Sequence, residues 1–194
     1  MKRTFATVVL AATLVTGLLG TAATAANASS PKLAAMLLSI GQMPTGWSVD
    51  NSSGGSGSLG CMSTKGPKPT ASAEVEFEGN GGIPALSEQL GTFANAEASY
   101  MKVIALAMAC KRFAGKLDGH PVTEGTNGLM SFPRFGDQSA AFAATFTLEG
   151  ATLGVDMIII RKRGIVMEMN DIDLAPVNVD QLEGFVKKGV AKLP

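Results

Sequence analysis

Hydrophobic and polar residues alternate along the second half of the chain, which predicts β-strands there. Three such segments follow one another at 140–148, 151–160 and 164–172. The pairs Glu149-Gly150 and Arg163-Gly164 separate them, and short pairs that end in glycine are typical of tight hairpin turns. We therefore predict an antiparallel meander in this part of the chain.

Two further strands are predicted in the first half, over 72–79 and 85–93. In the first of them, Val75 and Phe77 alternate with a row of glutamates formed by Glu74, Glu76 and Glu78. Three carboxylates on one strand face could form an acidic binding strip. We interpret the row as the solvated face of a sheet, because that is the more common position for such residues.

Three helices complete the predicted architecture. The first begins at Ser30-Pro31, the second runs from about Ala96 to Phe113 after an Asn95 cap, and the third follows the Asn178 cap. Because the helices and strands mostly occur in separate runs, we predict a single α+β domain. Its antiparallel sheet would have about five to six strands, packed with about three helices.

The N-terminus has the pattern of a secretory signal peptide. Lys2 and Arg3 precede an apolar run, Phe5–Gly20, which is shorter than the ~18 residues expected of a membrane-spanning helix. We expect a cleaved signal peptide over 1–28, a mature domain over 29–194, and a secreted or cell-envelope location. No later segment is long enough to cross a membrane.

The stretch 51–60 is rich in glycine and serine, and we predict a flexible loop there. Its glycines Gly55, Gly57 and Gly60 match the letters of a dinucleotide-binding turn, but no buried strand precedes them and no helix starts after them. We interpret the match as accidental and expect no cofactor.

The charge balance and the cysteines limit the classes of partner. The 16 basic and 16 acidic residues balance, and removing Lys2 and Arg3 leaves a slight acidic excess, so no nucleic acid is expected to bind. In an oxidising compartment, a disulfide between Cys61 and Cys110 is the default expectation. Free thiols or metal ligands are the alternatives, although a single histidine and the lack of a Cys-x-x-Cys pair make zinc a poor candidate.

One segment has the residue types of a hydrolase. Ser139 and Asp137 lie close together in the sequence, and His120, the one histidine of the chain, precedes them. Ser139 is not in a G-x-S-x-G elbow, and Asp137 is placed to accept main-chain N–H groups in a turn. We therefore predict no catalytic residues and interpret Gly136 to Ser139 as a backbone corner, with a His120/Ser139 hydrolase as the alternative.

A second candidate site depends on the register of the meander. If both hairpin turns have two residues, Ala143 faces Asp156 and Asp156 faces Asp171. One sheet face then collects small residues, hydroxyls, methionines and carboxylates, which would suit an apolar or amphipathic ligand. The candidate ligand-binding residues are Thr145, Thr147, Thr152, Asp156, Met167 and Met169. Alternatively, the terminal helix covers this face, or a shift of one residue exchanges the two faces.

Several segments together resemble a known family. These are "LLSIGQMPTGW", the helix "TFANAEASYMKVIALAMACKRF", the corner "FGDQSAAF" and the hairpin "GVDMIIIRKRGIVMEM". The chain resembles the extracellular sensor domain of actinobacterial PknH-type receptor kinases and their stand-alone secreted or lipoprotein relatives. The resemblance extends from about Leu33 to Leu193.

The resemblance implies an α+β domain with an antiparallel sheet and a cleft for an unidentified ligand. Gly136, Asp137 and Ser139 match the family's corner, and Arg161 and Gly164 match its hairpin, so these residues are interpreted as structural. The kinase domains carry two disulfides, whereas this chain can form one, by analogy Cys61–Cys110.

The function expected from the sequence is that of a secreted, non-enzymatic sensor-like domain. Its partner would be a small or lipidic envelope molecule or an envelope protein. A structural envelope protein without a small ligand is a further alternative.

Overall fold

The structure, a computed structural model, describes residues 30–51, 57–63, 66–79, 82–117 and 119–194. The predicted signal peptide over 1–28 and the middle of the predicted loop, 52–56, lie outside these residues. None of the helices in the described ranges is long and apolar enough to cross a membrane.

One antiparallel sheet forms the centre of the domain. Its strands in the described residues are β1 (Ser48–Val49), β2 (Gly57–Ser58), β3 (Ala71–Glu78), β4 (Ala85–Thr92), β5 (Arg112–Leu117), β6 (His120–Leu129), β7 (Gln138–Leu148), β8 (Ala151–Lys162) and β9 (Ile165–Leu174). They are ordered β1-β3-β4-β9-β8-β7-β6-β5-β2. The α-helices are α1 (Pro31–Ala34), α2 (Ala96–Ala109) and α3 (Val179–Lys192), and short 3-10 helices occupy Ile40–Gln42 and Gly60–Ser63.

The predicted α+β class, single domain and three helices are confirmed, but the predicted number of five to six strands is too low. The described residues form nine strands, two of which have only two residues. The missed hairpin is β5–β6. Its register shifts between Phe113 and Gly115, and β6 shifts against β7 between Thr123 and Thr126. Such bulges interrupt the two-residue alternation from which strands are predicted.

The helix ends follow local hydrogen bonding. Asn95 Oδ1 accepts from Ala98 N at 2.9 Å, and Asn178 Oδ1 accepts from Gln181 N at 3.1 Å, so both predicted N-caps are confirmed. The second helix is shorter than predicted, because it ends at Ala109 and strand β5 begins at Arg112.

The two faces of the sheet are covered by different helices. On the first face, here called the α2 face, residues Tyr100, Val103 and Ala107 of α2 pack against a cluster of buried apolar side chains. That cluster includes Phe142, Phe146, Leu148, Leu153, Val155, Met157 and Ile159. These residues of the meander therefore form a core face of the sheet.

The opposite face, here called the α3 face, is covered by α3 and α1. Leu182, Phe185 and Val186 of α3 pack with Leu33 of α1. The strand residues below them include Phe77, Leu86, Leu90, Ile158, Ile160, Met167 and Met169. Gly189 lets α3 approach closely, since a Cβ there would lie 3.0 Å from Glu88 Oε1 and 3.2 Å from Met169 Cε.

A disulfide joins Cys61 to Cys110, with Cα atoms 5.4 Å apart. The predicted bridged pair is therefore confirmed. It connects the residue after α2 with the 3-10 helix Gly60–Ser63, whose neighbour β2 is the last strand of the sheet and pairs with β5. The bridge therefore holds the end of α2 against one edge of the sheet.

Candidate functional site

The Gly136–Ser139 corner uses its polar atoms on main-chain groups. Ser139 Oγ accepts from Phe135 N at 3.1 Å, and Asp137 Oδ2 accepts from Arg163 N at 2.6 Å. Arg161 also donates to Asp137, at 3.4 Å. The corner is therefore structural, as predicted, although the main-chain donor to Asp137 comes from the β8–β9 turn and not from its own loop.

Ser139 and His120 do not form a catalytic pair. Ser139 lies at the start of β7, whereas Val122, two residues after His120, pairs with Leu148 at its end. From Ser139 to Leu148 the strand runs about 30 Å, at ~3.3 Å per residue. His120 Nδ1 instead contacts Glu149 Oε1 at 2.6 Å. The geometry therefore provides no Ser–His arrangement for the alternative hydrolase.

The residues of the predicted cleft do share one face of the sheet. Ala143 pairs with Asp156 and Asp156 pairs with Asp171, as the two-residue turns predicted. Met167 and Met169 are fully buried beneath α3, within the cluster that contains Phe185. The terminal helix thus covers the methionine half of this face.

The other half of the same face is open. Thr145 and Thr152 are exposed and Thr147 is half-buried. Thr145 forms a hydroxyl–hydroxyl contact of 2.9 Å with Thr126 on β6. These four threonines, here called the threonine face, present side chains that α3 does not reach.

Asp156 and Asp171 lie between the threonine face and α3. Both are buried, and burial raises the pKa of the Asp156 carboxyl. Burial, together with the charges of Asp173 and Asp156, raises the pKa of Asp171 to about 7. Asp171 Oδ1 has no hydrogen-bond partner among the described residues.

A second polar group lies on the α2 face, where β3, β4 and β9 run side by side. The register places Glu74 opposite Gln89 and Gln89 opposite Glu168. In the next row, Glu76 pairs with Ser87, and Ser87 pairs with Asn170. We call these six residues, Glu74, Glu76, Ser87, Gln89, Glu168 and Asn170, the polar array. Two rows of three polar side chains thus cross three strands, spaced about 4.8 Å apart.

Internal hydrogen bonds order the polar array only in part. Asn170 Nδ2 donates to Ser87 Oγ and to Glu168 Oε1, both at 3.2 Å. Gln89 Nε2 donates to Glu74 Oε2 at 3.3 Å. The amide groups of Asn170 and Gln89 thus donate their N–H groups to neighbours within the array. Their oxygens remain available to accept hydrogen bonds from other groups.

Three buried oxygens of the polar array have no partner among the described residues: Gln89 Oε1, Glu168 Oε2 and Asn170 Oδ1. Their side chains are deeply buried, with 8% of Gln89, 1% of Glu168 and 2% of Asn170 exposed. Glu74, on the outer strand β3, is exposed. The array therefore extends from the protein surface to deeply buried acceptor atoms.

The carboxyl groups of the array are difficult to ionise. Burial raises the pKa of Glu168 to about 8, and the Glu74 carboxylate adds to this shift. Burial also raises the pKa of Glu76 to about 8, with further contributions from Glu74 and Asp50. At neutral pH both groups therefore hold their protons for most of the time.

The sequence did not predict the polar array. Glu76 was expected on a solvated face, but it is buried where β3 pairs with β4, so that expectation is wrong for this residue. Glu168 and Asn170 alternate with Met167 and Met169 along β9, and only the methionines of these four residues were predicted to belong to a site. The available signal was the regular alternation of Glu168 and Asn170 with apolar residues in this strand.

The described residues contain no group of three or more His, Cys, Asp or Glu side chains arranged to hold a metal ion. The polar array offers carboxyl, amide and hydroxyl oxygens, which can bind hydrogen-bond donors. Such oxygens accept hydrogen bonds from the polar groups of a bound partner.

Comparison with known proteins gives a match at the level of the fold. No family model and no curated protein matches the chain. Among solved structures, the extracellular domain of PknH from Mycobacterium tuberculosis is similar, with a TM-score of 0.63 and 14% identity over 83% of this chain and 94% of that one. LpqN, involved in cell envelope biogenesis of Mycobacterium tuberculosis, aligns with a TM-score of 0.29 and 16% identity over 75% of this chain and 73% of that one. The chain therefore shares the fold of the PknH extracellular domain, as the sequence resemblance implied.

Proposed function

We propose that the protein is a secreted, non-enzymatic binding domain that holds a polar ligand at the polar array. The disulfide and the fold shared with an extracellular domain support a location outside the cytoplasm. The predicted signal peptide over 1–28 is part of this proposal. The separation of Ser139 from His120 supports a binding role over hydrolysis.

The observation that carries the proposal is the set of unpaired oxygens of Gln89, Glu168 and Asn170. More than 90% of buried polar groups in proteins have a hydrogen-bond partner, and each unpaired one costs about 1–3 kcal/mol. Three such atoms in adjacent positions cost a domain a large part of its stability. A ligand that donates hydrogen bonds to them would remove this cost, which is why the array is the preferred site.

This geometry favours a polar ligand over a lipid. An acyl chain needs apolar walls, but the methionines that could adapt to one, Met167 and Met169, are packed under α3. The array instead offers acceptors beside a pair of buried carboxyl groups. The ligand we propose is therefore a small polar molecule with several N–H or O–H groups.

The test is mass spectrometry of the protein purified from its own culture medium under native conditions, beside the variant Asn170→Leu. Leucine has the branched shape of asparagine but is bulkier and cannot hydrogen-bond, so it removes one of the acceptors together with the bonds that Asn170 donates to Ser87 and Glu168. We expect the wild-type protein to retain a small molecule and the variant to lose it. Retention by both would place the ligand elsewhere, and a wild-type protein without any bound molecule would contradict the proposal.

The threonine face is a second candidate surface. Thr145, Thr147 and Thr152 with Asp156 would hold the ligand there, and the unpaired Asp171 Oδ1 beside them favours a donor group. NMR titration with the retained molecule distinguishes the two surfaces. Shifts of the side-chain amides of Gln89 and Asn170 support the polar array, whereas shifts confined to the main chain around Thr145 and Thr152 support the threonine face.

A further inference from the structure

The unpaired atoms of the polar array restrict the chemistry of what can bind. Gln89 Oε1 and Asn170 Oδ1 are amide oxygens, which only accept hydrogen bonds. Glu168 Oε2 is also an acceptor whenever the carboxyl group is ionised. A partner that satisfies all three oxygens must therefore bring N–H or O–H donors, and a carboxylate or a fully ionised phosphate has none to offer the two amide oxygens.

Of the ligand groups that carry N–H or O–H donors, the charges around the array favour a cation. The charged groups that act on Glu76 and Glu168 are other carboxylates, Glu74 and Asp50. In the described part of the chain, neither Glu76 nor Glu168 takes part in an ion pair. A positive charge placed beside these carboxyl groups would favour their ionised forms, because opposite charges at short range in a buried region attract strongly.

The basic residue on the same sheet face is engaged elsewhere. Arg161 of β8 donates to Gln138 Oε1 at 2.8 Å and to Asp137 Oδ2 at 3.4 Å. It also donates to the carbonyl oxygen of Arg163 at 3.3 Å. These bonds direct its guanidinium to the corner and the β8–β9 turn, so Arg161 does not occupy the donor position over Glu168.

We propose that the polar array binds an organic cation with a primary ammonium or guanidinium group. The nitrogen lies over Glu168, and its N–H groups donate to Glu168 Oε2, Gln89 Oε1 and Asn170 Oδ1. An ammonium group carries three donors, one for each unpaired acceptor, and a guanidinium group carries five. This inference rests on the proposed function and specifies its ligand class.

Binding of such a cation is linked to the release of a proton. In the free protein at pH 7, Glu168 holds its proton, since burial raises its pKa to about 8. When the cation binds, the carboxyl proton leaves to solvent and the carboxylate accepts from the ammonium; no covalent bond of the ligand changes. One proton is therefore released for each cation bound, and affinity rises with pH until Glu168 is ionised in the free protein.

Other titratable and charged groups on the α2 face also influence the proton release that accompanies cation binding. They are Asp50 beside β1, Glu74, Glu76 and Glu78 on β3, Arg161 on β8 and Tyr100 on α2. Glu76 is the one that could release a second proton, because its pKa is also about 8. The variant Glu76→Gln separates its contribution from that of Glu168.

The probes are cadaverine, a primary diamine, and 1,5-pentanediol, which has the same carbon chain but no charge. Calorimetric titration at pH 7 in two buffers of different ionisation enthalpy measures the protons released, and NMR reports the site. We expect cadaverine to bind with release of about one proton and to shift the Gln89 and Asn170 amides. Charge-assisted hydrogen bonds contribute about 1.5–3 kcal/mol, so Glu168→Gln should weaken binding by at least about tenfold and abolish the proton release.

The control is Glu88→Gln. Glu88 is a buried carboxyl with a raised pKa like Glu168, but it lies on the α3 face. Binding should be unchanged in this variant. Because Glu168 is already neutral at pH 7, glutamine mimics its resting state and the Glu168→Gln protein is expected to fold.

The outcomes separate this inference from the proposed function. If the diol binds as well as cadaverine without proton release, the cation inference is wrong and the binding function stands. The cation inference is also wrong, and the binding function still stands, if neither probe binds but the natively purified protein retains a molecule that the Asn170→Leu variant loses. If neither probe binds and no molecule is retained, both proposals are wrong.

Discussion

At the scale of single residues, the corner before β7 shows how a short polar segment is used entirely for folding. Gly136 has φ of 62°, and a Cβ there would lie 2.6 Å from the carbonyl oxygen of Arg161. The following residue, Asp137, donates its N–H to that same carbonyl at 2.8 Å. The glycine is therefore required both for its backbone conformation and for the close approach of β8.

We expect Gly136→Ala to lower the free energy of unfolding by at least about 2 kcal/mol, because it adds a steric clash with main-chain atoms to a strained φ. The control is Gly164→Ala, where a Cβ meets nothing within 4 Å. That variant should change stability by less than about 1 kcal/mol. Urea unfolding of both variants provides the measurement, and equal stabilities would contradict this account of the corner.

At the scale of elements, α3 contains two glycines whose surroundings differ. Gly184 has open space where a Cβ would be, whereas a Cβ on Gly189 would lie 3.0 Å from Glu88 Oε1 and 3.3 Å from Met167 Sδ. Glu88 can move little, since its other oxygen, Oε2, accepts from Leu38 N at 2.6 Å. The gap at Gly189 therefore lets the helix lie directly on β4 and β9.

Opposite effects are expected when these glycines are replaced by alanine. Gly184→Ala should stabilise the protein by about 0.5–1 kcal/mol, since alanine has the higher helix propensity. Gly189→Ala should lose this gain and destabilise the protein by about 1 kcal/mol or more, because α3 must move away from a packed core. Thermal unfolding of the two variants tests the prediction, and a stabilised Gly189→Ala protein would show that the interface is loosely packed.

The sequence predicted the elements where the local pattern and the turn chemistry agreed. The β7–β8–β9 meander has long apolar-rich strands that pair without a register shift, joined by two-residue turns, so its register, including the pairing of Asp156 with Asp171, could be predicted. The β5–β6 hairpin could not, because its bulges disturb the alternation. The capped helix starts were predicted well, but the end of α2 is held by Asn127 of β6, whose Nδ2 donates to the carbonyl oxygens of Ala107 and Cys110.

The candidate site shows the same limit. The polar array requires that β4 insert between β3 and β9, which are far apart in the sequence. Nothing local to Gln89 or Glu168 reveals that they face each other. A polar site that is assembled from non-consecutive strands is invisible to pattern analysis until the strand order is known.

At the scale of the whole molecule, buried carboxyl groups on both faces of the sheet make stability depend on pH. Burial raises the pKa of Glu76 and Glu168 to about 8 on the α2 face. It raises the pKa of Glu88 and Asp171 to about 7 on the α3 face. The folded protein therefore binds more protons than the unfolded chain between about pH 4.5, the ordinary pKa of a glutamate, and about pH 8.

A folded state that binds more protons loses stability as the pH rises. The contribution of these carboxyls is fully present below about pH 4.5 and decreases as the pH rises through their folded pKa values, to a lower level above about pH 8. Even one such group would cost about 1.4 kcal/mol per pH unit within that window. We therefore expect the free energy of unfolding to fall by at least about 2 kcal/mol between pH 5 and pH 8, as measured by urea unfolding.

The variant Glu168→Gln separates the polar array from the rest of the molecule in this measurement. Because glutamine does not titrate, the variant should be more stable than the wild type at pH 8 and should show a smaller fall from pH 5. Glu183→Gln replaces an i,i+4 ion-pair carboxyl on α3. This variant should show the same fall in the free energy of unfolding between pH 5 and pH 8 as the wild type. A wild-type protein that is as stable at pH 8 as at pH 5 would mean that these carboxyls are ionised in the folded state. Glu168 would then hold no proton for a bound cation to displace.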